Sequence, residues 1–100
     1  MSHVAEFTLN VKPGHYQDVV DLYSQFAHDY LAINPHLVSV HIVGDPAAGI
    51  VRGIGVFDTE DAAAEVNSDV IFATFNDAIA PLISVPPSRV ILDLLHAWSR

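Results

Sequence analysis

Residues 50–61 read Ile-Val-Arg-Gly-Ile-Gly-Val-Phe-Asp-Thr-Glu-Asp, and the rest of the predicted fold is arranged around this segment. Residues 50–57 are mostly β-branched or aromatic and carry one charge, Arg52, which is typical of a central β-strand. Asp58 or Thr59 then predicts a helix N-cap, because their side-chain oxygens can accept backbone hydrogen bonds at a helix start. The acidic residues that follow favour the positive end of a helix dipole. The stretch therefore predicts a strand that leads directly into a helix.

The residues before this stretch predict a strand, a helix and a second strand. Apolar and polar residues alternate over residues 3–11, as they do in a half-buried strand. Residues 15–33 carry apolar side chains three and four positions apart, which predicts a helix with one apolar face. Residues 37–43 predict the second strand, and residues 44–49 contain the glycines and the Asp-Pro pair of a hairpin loop. This hairpin leads into the strand at residues 50–57.

The residues after the stretch predict two helical pieces and a last strand. Residues 67–69 interrupt the helix and can cap a new one, and a proline-containing loop precedes alternation over residues 89–98. The resulting order, βαββαβ, fits an α+β ferredoxin-like fold with a four-stranded antiparallel sheet in the order fourth, first, third, second. Both helical regions would cover one face of this sheet. The other face would then be open.

The composition indicates that the open sheet face is covered by a second subunit. Hydrophobic residues make up 51% of the 100 residues and charged residues 16%. This is more apolar surface than a monomer of this length normally has to hide. We therefore predict one domain over residues 1–100 that forms a homodimer. A monomer that is simply rich in alanine and valine is the alternative.

The charge and the residue types exclude several classes of protein. Four Lys and Arg against 12 Asp and Glu give a formal charge of −8, which repels nucleic acid and anionic membranes. The sequence shows no transmembrane run and no signal peptide. Cysteine is absent, which excludes disulfides and thiolate chemistry. We expect a soluble, cytoplasmic protein.

Four segments carry a resemblance to a known superfamily. They are residues 11–14 between the first strand and first helix, residues 56–61, the Ser68-Asp69 break and the proline-containing loop before the last strand. In these features the chain resembles the dimeric α/β-barrel superfamily, and most closely its antibiotic-biosynthesis-monooxygenase-like (ABM-like) domains. The stress-responsive A/B-barrel proteins are a close second. The resemblance implies two subunits whose sheets pack face to face around an inner pocket. It does not by itself imply an activity, because these folds host monooxygenases, haem degraders, isomerases and domains with no known chemistry.

Two positions depart from the pattern of the catalytic relatives. Catalytic ABM-like members commonly have a tryptophan at the end of the third strand and an asparagine four residues earlier, where this chain has Phe57 and Gly53. Haem-degrading members carry an axial histidine in the second helical region, and residues 64–67 contain none. The resemblance therefore implies no haem, and it leaves the oxygenase chemistry without two of its usual side chains.

The histidines and the aromatic residues favour structural roles. Six histidines are present, but no His-x-x-x-His or His-x-His pair occurs, so we predict surface histidines and no metal site. Trp98 is expected to pack under a partner subunit rather than bind a ligand. The aromatic residues at helical spacing predict core packing rather than a stacking surface for a ligand. They are Tyr16, Tyr23, Phe26, Tyr30, Phe72 and Phe75.

Polar residues on the predicted strands are the candidates for chemistry. If they point away from the helices, the sheet order places Asp93, Glu6, Arg52 and His41 in one line across neighbouring strands. Partly desolvated ionisable groups with close partners have the shifted pKa values that catalysis uses. A structural Arg52–Glu6 ion pair between adjacent strands is the alternative. A β-bulge at either glycine of the third strand would reverse the faces of the residues beyond it.

These observations lead to two functional hypotheses. The first is a cofactor-independent monooxygenase-like protein that acts on a small aromatic or polyketide-type compound in a pocket between sheet and helices. Arg52 would hold the oxyanion of the substrate, and His41 or Glu6 would accept a proton. The residues predicted to bind the substrate are Thr8, Asn10, Phe57 and Asp93. The second hypothesis is a non-catalytic small-molecule-binding or stress-associated dimer whose polar patch is structural.

Overall fold

The computed structural model describes residues 2–65 and 70–100. Its strands and helices are, in chain order, β1 (His3–Asn10), α1 (Tyr16–Ile33), β2 (Leu37–Asp45), β3 (Ile50–Phe57), α2 (Glu60–Glu65), α3 (Val70–Ile79) and β4 (Ser88–Asp93), with a short 3₁₀ helix at Ala80–Leu82 after α3. The predicted order of elements is confirmed. The predicted helix break at residues 67–69 lies outside the described residues. None of the described helices has the length and apolar character needed to span a membrane.

The described strands form one antiparallel sheet in the order β2-β3-β1-β4. This is the predicted order, read from the other edge of the sheet. β1 lies in the centre and pairs with β3 from His3 opposite Phe57 to Asn10 opposite Ile50. Its other edge pairs with β4. Together with the helices, the sheet gives the predicted α+β ferredoxin-like fold.

The alternation of side chains along each strand separates a covered face from an open one. On β1 and β3 the odd-numbered residues face the described helices, and Leu9 and Val51 are fully buried there. The even-numbered residues of β1, β3 and β4, with residues 39, 41 and 43 of β2, form the opposite surface, which we call the open face. Three apolar residues of the open face are about half exposed. They are Val43, Val90 and Leu92.

Aromatic side chains fill the space between the sheet and the helices. Phe26 stacks on Phe75 with the ring centroids 4.6 Å apart, and Phe7 meets Phe72 edge to face at 5.3 Å. Four of the predicted core aromatics are at most 5% exposed, namely Tyr23, Tyr30, Phe72 and Phe75. Phe26 and Tyr16 are partly buried and pack against this core. The core prediction is therefore confirmed.

The helix cap before α2 and the hairpin turn between β2 and β3 form as the sequence predicts. Thr59 Oγ1 accepts a hydrogen bond from the backbone N–H of Ala62 at 3.1 Å, so Thr59 caps the start of α2. In the hairpin, Asp45 Oδ1 accepts the backbone N–H of Ala47 at 3.0 Å. Gly49 closes this turn with a φ of 68°, a left-handed conformation that glycine adopts without steric cost.

The last strand is shorter than predicted. The alternation over residues 89–98 predicts a strand to residue 98, but β4 ends at Asp93. Asp93 lies opposite His3, which is the first residue of β1, so the paired part of β4 ends where β1 begins. One more hydrogen bond runs from Leu94 N to Ser2 O, at 3.0 Å, and the ladder stops there.

The residues beyond β4 leave large apolar side chains in solvent. Leu95 is 78% exposed and Trp98 is 86% exposed. Large exposed apolar side chains that form a contiguous patch often mark an interaction surface. The expectation that Trp98 packs under a partner subunit stays a prediction.

The irregular pairing lies in β2 and not at the glycines of β3. Leu37 is opposite Phe57 and Ser39 is opposite Val56, so two steps along β2 match one step along β3. The extra residue, Val38, is 61% exposed, whereas Leu37 reaches the core at 7% exposure. Val38 therefore does not share a face with the later apolar residues of β2, Val40 and Ile42. The faces of β3 are unaffected.

Candidate functional site

Three of the predicted site residues meet on the open face. Arg52 Nε lies 3.3 Å from Glu6 Oε1 and donates a hydrogen bond to Thr8 Oγ1 at 3.1 Å. Arg52 and Thr8 are directly opposite each other in the β1–β3 register. The side chains of Arg52 and Glu6 are 42% and 31% exposed. The three residues form a polar network across the two central strands.

Two further predicted residues lie on the same face, nearer its edges. His41 is an exposed residue of the edge strand β2 and pairs with Ile54. Asn10 is the last residue of β1 and lies opposite Ile50. Its backbone carbonyl accepts a hydrogen bond from Ser84 N at 2.9 Å, which ties the end of β1 to the loop before β4.

Asp93 lies on the other face of the sheet. The register pairs it with His3, and Asp93 Oδ1 is 3.1 Å from His3 Nδ1. Both residues have the odd numbering of the helix-covered side. The predicted line of four polar residues across one face is therefore wrong at Asp93, because β1 and β4 pair so that Val90, and not Asp93, is opposite Glu6.

Phe57 is buried at 3% exposure and lines a cavity of about 50 Å³ between the sheet and α1, which we call the inner cavity. A pocket between sheet and helices is the position that the sequence predicts. The walls are apolar and largely aromatic, with Arg89 as the charged exception. They consist of Ala5, Phe7, Tyr23, Phe26, Ala27, Tyr30, Leu37, Val40, Gly53, Gly55, Phe57 and Arg89.

Arg89 is a candidate functional residue that the sequence reasoning missed. It lies opposite Phe7 in the β1–β4 register, which turns its side chain towards the helices. Its guanidinium donates hydrogen bonds to the backbone carbonyl of Ala63 at 2.5 Å and to that of Ala64 at 3.5 Å. Burial lowers the pKa of Arg89, and the electrostatic interaction with Tyr30 acts in the opposite direction. Arginine keeps its charge in proteins, so Arg89 brings a cation to an aromatic cavity.

The sequence contained only part of the signal that identifies Arg89. The alternation of the last strand separates Arg89 from Val90 and Leu92, and only the pairing with β1 shows which set faces the helices. A single arginine near the start of a strand is not part of any recognisable sequence motif. Arg89 and the aromatic residues of α1 line the same cavity only because α1 packs on the sheet.

Tyr23 and Gly53 form a second feature of the inner cavity. A Cβ atom at position 53 would overlap the hydroxyl oxygen and Cζ of Tyr23 and would lie 2.9 Å from its Cε1. The phenol of Tyr23 thus occupies the space of a side chain at position 53. Burial raises the pKa of the Tyr23 phenol above its ordinary value, so the hydroxyl stays protonated and is a neutral hydrogen-bond donor.

A larger groove lies beside the inner cavity. It has a volume of about 580 Å³, within the range of small-molecule pockets, and Tyr30 lines both spaces. The ends of α1 and α3 form its walls, and His36 is at its rim. His36 Nδ1 lies 3.0 Å from Asp58 Oδ1, and both side chains are about half exposed. These two residues are 22 positions apart in the sequence, so no local pattern pairs them.

Metal-binding geometry is absent from the part of the chain that the structure describes. There, no three His, Asp or Glu side chains lie close enough together to hold an ion. His3, His15, His28 and His36 instead each lie beside one aspartate at 3.0 to 3.6 Å. These are pairs at or near the protein surface.

Comparison with known proteins finds similarity at the level of structure. No family model matches the chain, and no curated protein has a matching sequence. A Nitrosomonas europaea protein named as a candidate antibiotic biosynthesis monooxygenase superposes with a TM-score of 0.84 at 16% identity, over 95% of this chain and 91% of that protein. A protein of unknown function from the same organism gives a TM-score of 0.82 at 21% identity, over 100% and 96%.

A third solved structure is of a protein with a named activity. It is SnoaB, a cofactor-independent oxygenase from Streptomyces nogalater, solved as a point mutant. It superposes with a TM-score of 0.79 at 13% identity, over 99% of this chain and 98% of that one. Identities this low relate the proteins by fold alone. The chain therefore has the fold of the antibiotic biosynthesis monooxygenase domain proteins.

Proposed function

We propose that this chain is a homodimeric, cofactor-independent monooxygenase-like protein that binds a small aromatic or polyketide-type compound at the inner cavity. The observation that carries the proposal is the placing of one partly buried cation, Arg89, among aromatic walls. Aromatic walls accept the edge of a planar ring system, and a guanidinium fits an anionic or partly anionic oxygen on that edge. SnoaB, which has the same fold, is a cofactor-independent oxygenase.

The chemistry that fits this site is the oxidation of a phenol by dioxygen. A phenol with a free para position and O₂ give a para-quinone and water. One oxygen atom enters the ring and the other leaves as water with the hydroxyl and ring hydrogens. The four electrons come from the phenol, so no separate reductant is needed. Arg89 would stabilise the phenolate form, and the apolar walls would keep bulk water from the oxygen-bearing edge of the ring.

The groove supplies room that the inner cavity lacks. About 50 Å³ is enough for one or two small groups, whereas pockets for organic ligands usually measure about 300 to 1,000 Å³. The neighbouring groove reaches that range. We place the ring system on the groove side of Tyr30 and its oxygen-bearing edge towards Arg89.

The open face is the surface for the second subunit. Its half-exposed Val43, Val90 and Leu92 form an apolar surface, and the Glu6–Arg52 pair adds groups of both charge signs. A sheet face of this kind is stable when another sheet covers it. In the dimer, the predicted roles of Arg52 as anion clamp and of His41 or Glu6 as proton acceptor define a second candidate site, between the two sheets.

The small volume of the inner cavity favours one alternative function. A non-catalytic dimer that binds small molecules, or has a stress-associated role, would need neither O₂ nor a cavity the size of a substrate. In that protein Arg89 would serve to hold the carbonyl groups at the end of α2, as it does in the structure. The polar network of the open face would hold the strand register.

Oxygen uptake with a defined phenol separates these possibilities. The wild-type protein, R89M and R52M are mixed with 1-naphthol, and O₂ consumption and 1,4-naphthoquinone formation are followed together. We expect turnover by the wild type, a 10- to 100-fold loss in R89M, as for the loss of a charged hydrogen bond, and little change in R52M. Thermal unfolding of both variants checks that they fold.

The other outcomes are equally informative. A loss confined to R52M would move the site to the open face. No turnover by the wild type, with a bound organic molecule seen by native mass spectrometry, would favour the non-catalytic alternative. A wild-type protein that neither binds nor oxidises the phenol would contradict the proposal.

A further inference from the structure

We propose that the hydroxyl group of Tyr23 binds the ligand directly, by donating a hydrogen bond to a phenol or ketone oxygen in the inner cavity. In this role Tyr23 on α1 places a hydroxyl group in the space that a side chain at position 53 of β3 would otherwise fill. The inference rests on the proposed function and names a residue that selects ligands with an oxygen at the buried edge.

The geometry links Tyr23 to position 53. The tip of the phenol lies on the bare backbone of Gly53, where any Cβ would overlap it. Gly53 is on the helix-covered side of β3, opposite Phe7 on one neighbouring strand and Ile42 on the other. Both Tyr23 and Gly53 line the inner cavity. The hydroxyl therefore lies where a side chain from the middle of the sheet would point.

The hydroxyl of Tyr23 is available as a donor. Tyr23 is only 5% exposed, and within residues 2–65 and 70–100 no hydrogen bond to its hydroxyl is found. Every fully buried side-chain oxygen in that part of the chain has a hydrogen-bond partner. Because the Tyr23 hydroxyl has none, it is not fully buried and remains in contact with the cavity space. Burial keeps it protonated.

Packing alone does not account for the hydroxyl. The ring of Tyr23 contacts Phe75 at 4.8 Å, Phe26 at 6.0 Å and Phe7 at 6.2 Å, all between centroids. Phenylalanine would make the same ring contacts. The ring packing therefore does not explain the hydroxyl. A donor that reaches the cavity space and has no hydrogen-bond partner in the described part of the chain is available to a ligand oxygen.

The two donors of the cavity define the class of ligand. Tyr23 offers one neutral O–H, and Arg89 offers charged N–H groups from the strand on the other side of β1. A volume of about 50 Å³ admits an oxygen atom with one or two neighbours and excludes a whole ring. The ligand that fits is a planar aromatic compound with oxygen atoms on the edge that enters the inner cavity.

A pair of probes and a matched control variant test this inference. Binding of 1-naphthol and of naphthalene, which lacks the oxygen, is measured for the wild type, Y23F and Y16F. Tyr16 is the control because it is on the same helix and its hydroxyl also packs on a glycine, Gly44, but it does not line the inner cavity. We expect Y23F to weaken 1-naphthol binding about 3- to 10-fold, the value of one hydrogen bond, and to leave naphthalene binding unchanged. Y16F should change neither.

Each other result overturns the inference. Unchanged 1-naphthol binding in Y23F would show that the hydroxyl does not contact the ligand. Equal weakening of both probes would show that Tyr23 only shapes the cavity. If the wild type binds neither probe, the proposed function fails and this inference fails with it, whereas a failure confined to Y23F leaves the proposed function standing.

Discussion

Arg52 on β3 lies 3.3 Å from Glu6 on β1, and both side chains project from the face of the sheet that no described helix covers. The same arginine Nε donates a hydrogen bond to Thr8. The predicted ion pair between neighbouring strands is therefore present. Its position on the open face connects it to the proposed dimer, because a partner sheet would remove these charges from water.

The strength of the Glu6–Arg52 pair reports whether the open face is covered. An ion pair at the exposed surface contributes about 0.2–1 kcal/mol, and salt weakens it. Because we propose that a second copy covers this face, a double-mutant cycle with E6Q and R52M should give more than about 1 kcal/mol of coupling. The free energy of unfolding in urea supplies the four values. A coupling energy below about 1 kcal/mol that disappears in 0.5 M salt would argue for a solvent-exposed face.

A charge in the middle of the open face should separate the subunits. Ile54 pairs with Glu6 on one side and His41 on the other, at the centre of the sheet. We expect the wild type to sediment as a dimer at micromolar concentration and I54D to sediment as a monomer, since a carboxylate buried between two sheets is strongly unfavourable. L31D is the control, because Leu31 is an exposed apolar residue of α1. A monomeric wild type would exclude the dimer.

Substitution of Gly53 by alanine should destabilise the fold far more than the same change at Gly55. A Cβ at position 53 overlaps the Tyr23 ring, which the aromatic cluster holds in place, whereas a Cβ at position 55 meets Phe57 Cε2 at 3.2 Å. Overpacking of this kind costs about 1–3 kcal/mol. We expect a loss of about 2 kcal/mol or more for G53A and less than 1 kcal/mol for G55A, measured by urea unfolding.

A second variant makes the Gly53 prediction stricter. Removing the Tyr23 hydroxyl leaves the overlap with Cζ, so Y23F should not rescue G53A. Equal stabilities of G53A and G55A would show that the ring of Tyr23 moves freely away from the sheet.

Stability at high pH should depend on Tyr23. Burial raises the pKa of the folded-state phenol above the ordinary value of 10.0. The stabilising contribution of the protonated form is complete below pH 10 and is lost as the pH rises, because the unfolded chain releases this proton first. Between pH 10 and pH 11 the free energy of unfolding should fall by about 1 kcal/mol more in the wild type than in Y23F. Parallel pH profiles would mean that solvent reaches the phenol.

Local patterns in the sequence determined the elements and their order. The run at residues 50–57 and the Thr59 cap needed only neighbours within four positions, and the structure has both. Alternation along β1 and β3 also separated Glu6 and Arg52 from the core residues beside them, because successive side chains of a strand point to opposite faces.

The composition of the inner cavity was decided by tertiary structure. Arg89 reaches the cavity because β4 pairs with β1 and sets it opposite Phe7, and Tyr23 meets Gly53 because α1 lies across β3. The same pairing put Asp93 on the covered face and ended β4 where β1 begins. The sequence alone therefore determined which segments form strands and helices and which side chains share a strand face. Contacts between residues far apart in the chain depend on strand register and helix docking, which local periodicity does not encode.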